Sequence, residues 1–180
     1  MKLWLVRHAR PLVEPGVCYG ALDVAADPMA TQEAAAALAA QLPTHVPVLC
    51  SPLERCTQLA GALQALRPDL GWRVDSRLRE MDFGCWEGWG WSAIAQEAFL
   101  PWMADFHAHR FGGRESVGEM MDRVAQALRE VSQEEEGVWI THAGVIRAAT
   151  LLTHGVARLQ APAQWPSQTV PLGVAQCLRW

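Results

Sequence analysis

Three short apolar runs, LWLV at Leu3 to Val6, PVLC at Pro47 to Cys50 and VWIT at Val138 to Thr141, are set among longer stretches with helical spacing. This alternation constrains the fold more than any other feature of the chain. Runs this short, with no polar residue inside them, are strands buried on both faces, and such strands belong to a sheet covered by helices on each side. The expected architecture is therefore α/β, a three-layer α/β/α sandwich with a mostly parallel central sheet. A chain of 180 residues can be organised by one hydrophobic core, and no internal repeat, linker or low-complexity segment divides it. Residues 1–180 are read as a single domain.

Punctuation places the other elements. Pro11, Pro15, Gly16 and Gly20 make a loop after the first strand. The alanines and leucines from Thr31 to Leu42 predict a helix ending at Pro43. Ser51, Pro52 and Glu54 look like an N-cap, a first-turn proline and a capping-box glutamate, opening a second helix that stops before Pro68. Trp72 to Asp75 is expected to be an edge strand. Ser92 to His109 reads as one or two helices broken at Pro101, and Ser116 to Val131 as another, with Val117, Met120, Met121, Val124 and Leu128 on one face. Gly144 to Leu152 begins a further helix, and Val170 to Trp180 contains a last strand.

Composition excludes several classes of function. A hydrophobic fraction of 51% and a charged fraction of 19% describe a packed globular protein. The formal net charge of -4 offers no attraction to nucleic acid or an anionic membrane, so an anionic ligand would have to be drawn by clustered arginines. The first apolar run stops at Val6, too early for a secretory signal, and no apolar span approaches the ~20 residues of a membrane helix. Five scattered cysteines, an odd number, read as reduced thiols, and the expected location is the cytoplasm.

The three strands all end in polar chemistry: Arg7 and His8 after LWLV, Ser51 and then Arg55 after PVLC, and His142 after VWIT. In parallel sheets the carboxyl ends open on one side, where ligands bind, so these groups converge. Each alone is ordinary, since a histidine near a strand end is commonly structural and Arg55 could be a solvated helix residue; their shared edge is what carries weight. Arginines recognise phosphate oxygens, and a neutral imidazole can attack phosphorus. Positive charge around such an imidazole is expected to keep it unprotonated. CSPLER at Cys50 to Arg55 has one residue too few for a cysteine-phosphatase loop, and His107 and His109 are two apart, facing different sides of a helix rather than one zinc ion. No metal and no cofactor are called for.

The same segments resemble the histidine phosphatase superfamily, also called phosphoglycerate mutase-like. LVRHA at Leu5 to Ala9 is similar to its opening signature, and SPLERCTQLA at Ser51 to Ala60 to its second. LREMDFGCWEG at Leu78 to Gly88, GGRES at Gly112 to Ser116 and ITHAGVIRA at Ile140 to Ala148 follow in the family order. The resemblance implies that His8 is phosphorylated, that Arg7, Arg55 and His142 surround the phosphoryl group, and that Glu80 acts as general acid and then base. It also implies a backbone donor at Ala143.

The family glycine after the catalytic histidine is Ala9, whose methyl is expected to narrow the phosphate pocket. Arg10 stands where the family often has a small polar residue, as an extra phosphate contact or a solvated side chain. GVCYG at Gly16 to Gly20, followed by Asp23, is similar to the α-ribazole phosphatases of cobalamin biosynthesis and puts Tyr19 and Gly20 near the substrate. The tryptophans from Trp86 to Trp102 read as core or lid packing rather than a stacking site. The implied activity is phosphomonoester hydrolysis of a small phosphorylated metabolite, α-ribazole 5'-phosphate first. Alternatives are another sugar or nucleotide phosphate, a mutase-type phosphotransfer, or an inactive binding module. A homodimer is left open.

Overall fold

The structure is a computed structural model that describes residues 1–131 and 136–180. Five strands form one sheet: β1 (Lys2–Arg7), β2 (Val48–Cys50), β3 (Trp72–Val74), β4 (Glu136–Thr141) and β5 (Ala175–Arg179). Their order is β3-β2-β4-β1-β5. The first four are mutually parallel, and β5 closes one edge antiparallel to β1. β3 is the opposite edge, as its sequence predicts.

Strand parity sorts the core into two clusters, because successive side chains face opposite sides. Leu3, Leu5, Leu49 and Trp139 pack with α4 (Val117–Val131) and α5 (Ala143–Thr153). Val6, Val48, Cys50, Val138 and Ile140 face the other way, onto α1 (Pro28–Gln41) and α2 (Glu54–Leu66). Helices therefore cover both faces, and the three-layer sandwich is observed.

Helix starts explain where the boundaries moved. α1 begins ahead of Thr31 because Asp27 caps it, its Oδ1 accepting from Ala30 N at 2.8 Å, with Pro28 in the first turn. α4 has a reciprocal cap between Ser116 and Glu119. α2 departs from expectation. Its N-cap position is Leu53, whose side chain makes no cap bond. Instead Asp23, from the distant loop, accepts from Glu54 N at 2.7 Å. Ser51 is left for other work.

Pro101 does not break its helix. α3 (Gln96–Ala104) runs through it with Pro101 as its sixth residue, giving up the hydrogen bond that an N–H there would have made to Glu97. Part of the aromatic segment packs together: Phe111 is fully buried, with Trp102 stacked on it at 4.4 Å and Trp91 at 6.2 Å between ring centroids, while Trp89 is exposed and Trp102 also borders a cavity.

Leu5 lies on β1, between β4 and β5, and is buried in the cluster under α4 and α5. Leu5→Ala is expected to lower unfolding stability by about 2–5 kcal/mol, seen as a reduced urea midpoint with unchanged slope. A midpoint equal to that of the unaltered chain would contradict this account of the core.

Candidate active site

The carboxyl ends of β2, β4 and β1 lie side by side and deliver Ser51, His142 and His8 in that order. The ladder continues one step past the strands, with His8 N donating to Thr141 O at 3.0 Å and Ser51 N to Ile140 O at 2.9 Å. The two imidazoles face each other with centroids 5.2 Å apart, and both are buried.

His8 Nδ1 is 2.7 Å from the carbonyl oxygen of Ala9. A carbonyl can only accept, so Nδ1 carries the proton and Nε2 keeps its lone pair. The His8 pKa is pushed down to about 3, first by burial; the Ala9 carbonyl opposes this, and Arg55 and then Arg7 add to it. His142 is held well below the ordinary imidazole range, again by burial first and Arg55 second. Both rings are neutral at pH 7. The expected cause is thereby reordered: desolvation does most of the work and the arginines assist.

Ala9 takes the family glycine position without a left-handed backbone. Among the described residues His45 is the only non-glycine with positive φ, and Ala9 is buried in the apolar cluster under α1 and α2.

Arg55 is completely buried, although it sits in the first turn of a helix. Its Nη1 donates to Leu22 O at 2.9 Å and its Nη2 to Gly20 O at 2.7 Å, and the guanidinium lies 5.3 Å from the Tyr19 ring centroid. Arg7 Nη1 donates to Val170 O at 2.8 Å. Each arginine has a buried Nε with no acceptor, and neither has a carboxylate partner among the described residues. Buried cations without counterions are costly, so this is a site that gains from an anion.

Loop Gly20 to Leu22 is fixed by Glu87, which accepts from the amides of Gly20, Ala21 and Leu22 at 2.9, 2.9 and 3.0 Å and from Phe83 N at 2.9 Å. A side chain at Gly20 would overlap the Met81 carbonyl. Glu80 is held at the start of α5, its Oε2 accepting from Gly144 N at 3.0 Å and its Oε1 from Met81 N at 3.1 Å. A Cβ at Gly144 would strike that carboxylate. Arg123 fixes the chain behind it, bonding to the carbonyls of Arg77, Arg79 and Glu80. Ala143 occupies the first turn of α5, where amides have no partner within the helix.

Arg10 is exposed and held by Asp27 at 3.0 Å. The surprise is Ser51, whose Oγ lies 2.8 Å from His142 Nε2. Cys56 Sγ is 3.5 Å from the same nitrogen. Burial pushes the Cys50 thiol up to about 12 and the Cys56 thiol well above its usual range, so neither is a thiolate nucleophile. Among the described residues no group of three or more histidine, cysteine or acidic side chains is placed to hold a metal, and no helix is long and apolar enough to cross a membrane.

A mostly parallel α/β sheet presenting two neutral histidines, the buried Arg55 and the half-buried Arg7 at its carboxyl edge, neither arginine with a carboxylate partner among the described residues, is the arrangement of a phosphoryl-handling protein. The chain belongs to the histidine phosphatase superfamily, branch 1, whose family model matches residues 3–169. A Hydrogenobacter thermophilus protein named "Putative phosphoserine phosphatase 2" is 30% identical over 164 residues, covering 86% of this chain and 79% of that one. A Thermus thermophilus protein of known structure is 28% identical, with TM-score 0.76 over 100% of this chain and 94% of that one. A mycobacterial glucosyl-3-phosphoglycerate phosphatase, 24% identical, has TM-score 0.81 over 99% of this chain and 89% of its own, a likeness of fold. The chain is a phosphatase of this superfamily.

The buried neutral histidines make stability depend on pH. His8 titrates about 3 in the fold against 6.5 unfolded, so on acidification the unfolded chain takes up the proton first. The stabilising effect of a neutral His8 is fully present above about 6.5 and lost as pH falls toward about 3. Unfolding free energy is expected to decline across this window, and less steeply in His8→Gln. Equal slopes for the two proteins, measured by urea titration at several pH values, would rule the account out.

Proposed function

We propose that the chain is a phosphomonoester hydrolase working through a phosphohistidine on His8. The observation that carries this is the His8 ring itself, its Nδ1 proton committed to the Ala9 carbonyl and its Nε2 lone pair free beside the buried Arg55 and the half-buried Arg7. Nε2 attacks phosphorus as the ester P–O bond breaks, and Glu80 delivers a proton to the leaving oxygen. Water then attacks the phosphohistidine, Glu80 takes its proton, the N–P bond breaks, and phosphate leaves with His8 neutral again. Arg7, Arg55, His142 and the first-turn amide at Ala143 stabilise the equatorial oxygens through both steps. No metal is required, because the charge is met by guanidiniums.

Ser51 is a positioning residue in this scheme. Its Oγ accepts from Leu53 N at 3.3 Å and donates to His142 Nε2, which places the His142 proton on Nδ1, the buried nitrogen with no partner in the fold. That N–H is then free for a phosphoryl oxygen.

The substrate is a small phosphorylated metabolite, with Tyr19 and Gly20 in the loop that braces Arg55. The GVCYG loop favours α-ribazole 5'-phosphate, and the name of the Hydrogenobacter relative favours phosphoserine. Five free cysteines, three of them buried, suit a reducing cytoplasm.

Phosphate release with chelator present, from α-ribazole 5'-phosphate, phosphoserine, sugar phosphates and nucleotides, tests these points together. His8→Ala is expected to lose at least about a thousandfold in rate and Glu80→Gln about 10²–10⁴-fold in kcat. An acid-labile phosphoryl adduct should accumulate on the unaltered chain during turnover and be absent from His8→Ala. Retention of activity in His8→Ala would sink the mechanism.

A further inference from the structure

A cavity of about 230 Å³ opens beside Glu80, walled by Phe83, Trp102, Phe106 and Trp165 and bordered by Arg147. Its lining is mostly apolar and aromatic, yet two of its residues hold unsatisfied donors. Trp102 Nε1 and Arg147 Nε are both buried without an acceptor. Both nitrogens can only donate, but their burial keeps them off the cavity surface, so what the cavity offers an anionic ligand is the charge of the Arg147 guanidinium at its border.

The cavity also adjoins the phosphate clamp. Arg147 Nη2 donates to Gln168 O at 3.1 Å, two residues from Val170, whose carbonyl binds Arg7. Glu80 stands on its wall, and a general acid must touch the leaving oxygen. With phosphorus at His8 and the leaving oxygen at Glu80, the remainder of the alcohol has this concave space to enter.

We propose that this cavity is the leaving-group subsite and that it takes an aromatic ring bearing a carboxylate, the ring packed among the four aromatic side chains and the carboxylate received by Arg147 at the border. The assignment rests on the hydrolase reading and on Glu80 as its acid. The volume is below the ~300 Å³ of a small drug-sized pocket, enough for one ring system.

The test compares kcat/KM for ethyl, benzyl, 3-carboxybenzyl and 4-carboxybenzyl phosphate, whose leaving groups are all primary alcohols. Burying the ring should favour benzyl over ethyl phosphate by at least about tenfold, and the better carboxybenzyl ester should gain about another tenfold. In Arg147→Gln the carboxybenzyl-to-benzyl ratio should fall to about one, and in Trp165→Ala the benzyl-to-ethyl ratio should drop. These ratios are internal to each protein, so they are unaffected by the fraction of a variant that folds, and the unaltered chain is decisive if a variant does not fold. Equal kcat/KM for ethyl and benzyl phosphate, no gain for either carboxybenzyl ester, or a carboxybenzyl-to-benzyl ratio unchanged in Arg147→Gln would overturn the subsite. Hydrolysis of none of the four, nor of any metabolite phosphate, would overturn the hydrolase reading and the subsite with it.

Discussion

Arg55 is a guanidinium with no exposed surface and, among the described residues, no carboxylate ion-paired with it, and much of the site is arranged around that fact. Removing a cation from water without a counterion is unfavourable by several kcal/mol. The protein offsets this with dipoles: the carbonyls of Gly20 and Leu22 and the face of Tyr19. Those carbonyls point correctly only because Glu87 binds the amides of the same loop, so a carboxylate supports Arg55 through an intervening loop of backbone. A direct Arg55–Glu contact would have cancelled the charge that an anionic substrate needs. The indirect arrangement keeps the positive potential facing the site.

Burial also sets the chemistry of the histidines. In water an imidazole near neutral pH is divided between two protonation states and two tautomers. In the fold, desolvation removes the charged state of His8, and the Ala9 carbonyl selects the tautomer with Nε2 free. The carbonyl that His8 uses is a backbone feature, indifferent to whether its residue is alanine or glycine. This is why Ala9 can stand in the family glycine position without a left-handed backbone.

The sheet was legible from sequence because its signal is strong and local: three uninterrupted apolar runs, each followed by a polar residue at the same edge. His8, Arg55 and His142 followed from that pattern once the strands were parallel. Features set by distant partners were not legible. Ser51 satisfies every local rule for a helix cap, yet Asp23 takes the helix amide and leaves the serine hydroxyl to His142. Arg147 looked like an ordinary helix residue, since nothing in ITHAGVIRA reveals that its side chain meets Gln168 and a cavity lined from four other segments. Pro101 is a further case, since the local rule that an interior proline ends a helix does not hold here and α3 continues through it.

Gly144 shows how fold, acid and leaving group are joined. Lacking a Cβ, it lets the Glu80 carboxyl group reach its amide in the first turn of α5, where the side chain loses its freedom. The same helix contributes Arg147 less than one turn further along, and the strand before it contributes His142. A single β4–α5 junction therefore holds His142, the amide that anchors Glu80, and the cation that borders the cavity beyond, the groups to which the proposed mechanism gives the phosphoryl oxygens, the leaving oxygen and the rest of the alcohol. A shift of this junction would disturb all three together, so in the proposed mechanism chemistry and recognition of the leaving group are coupled through one strand end.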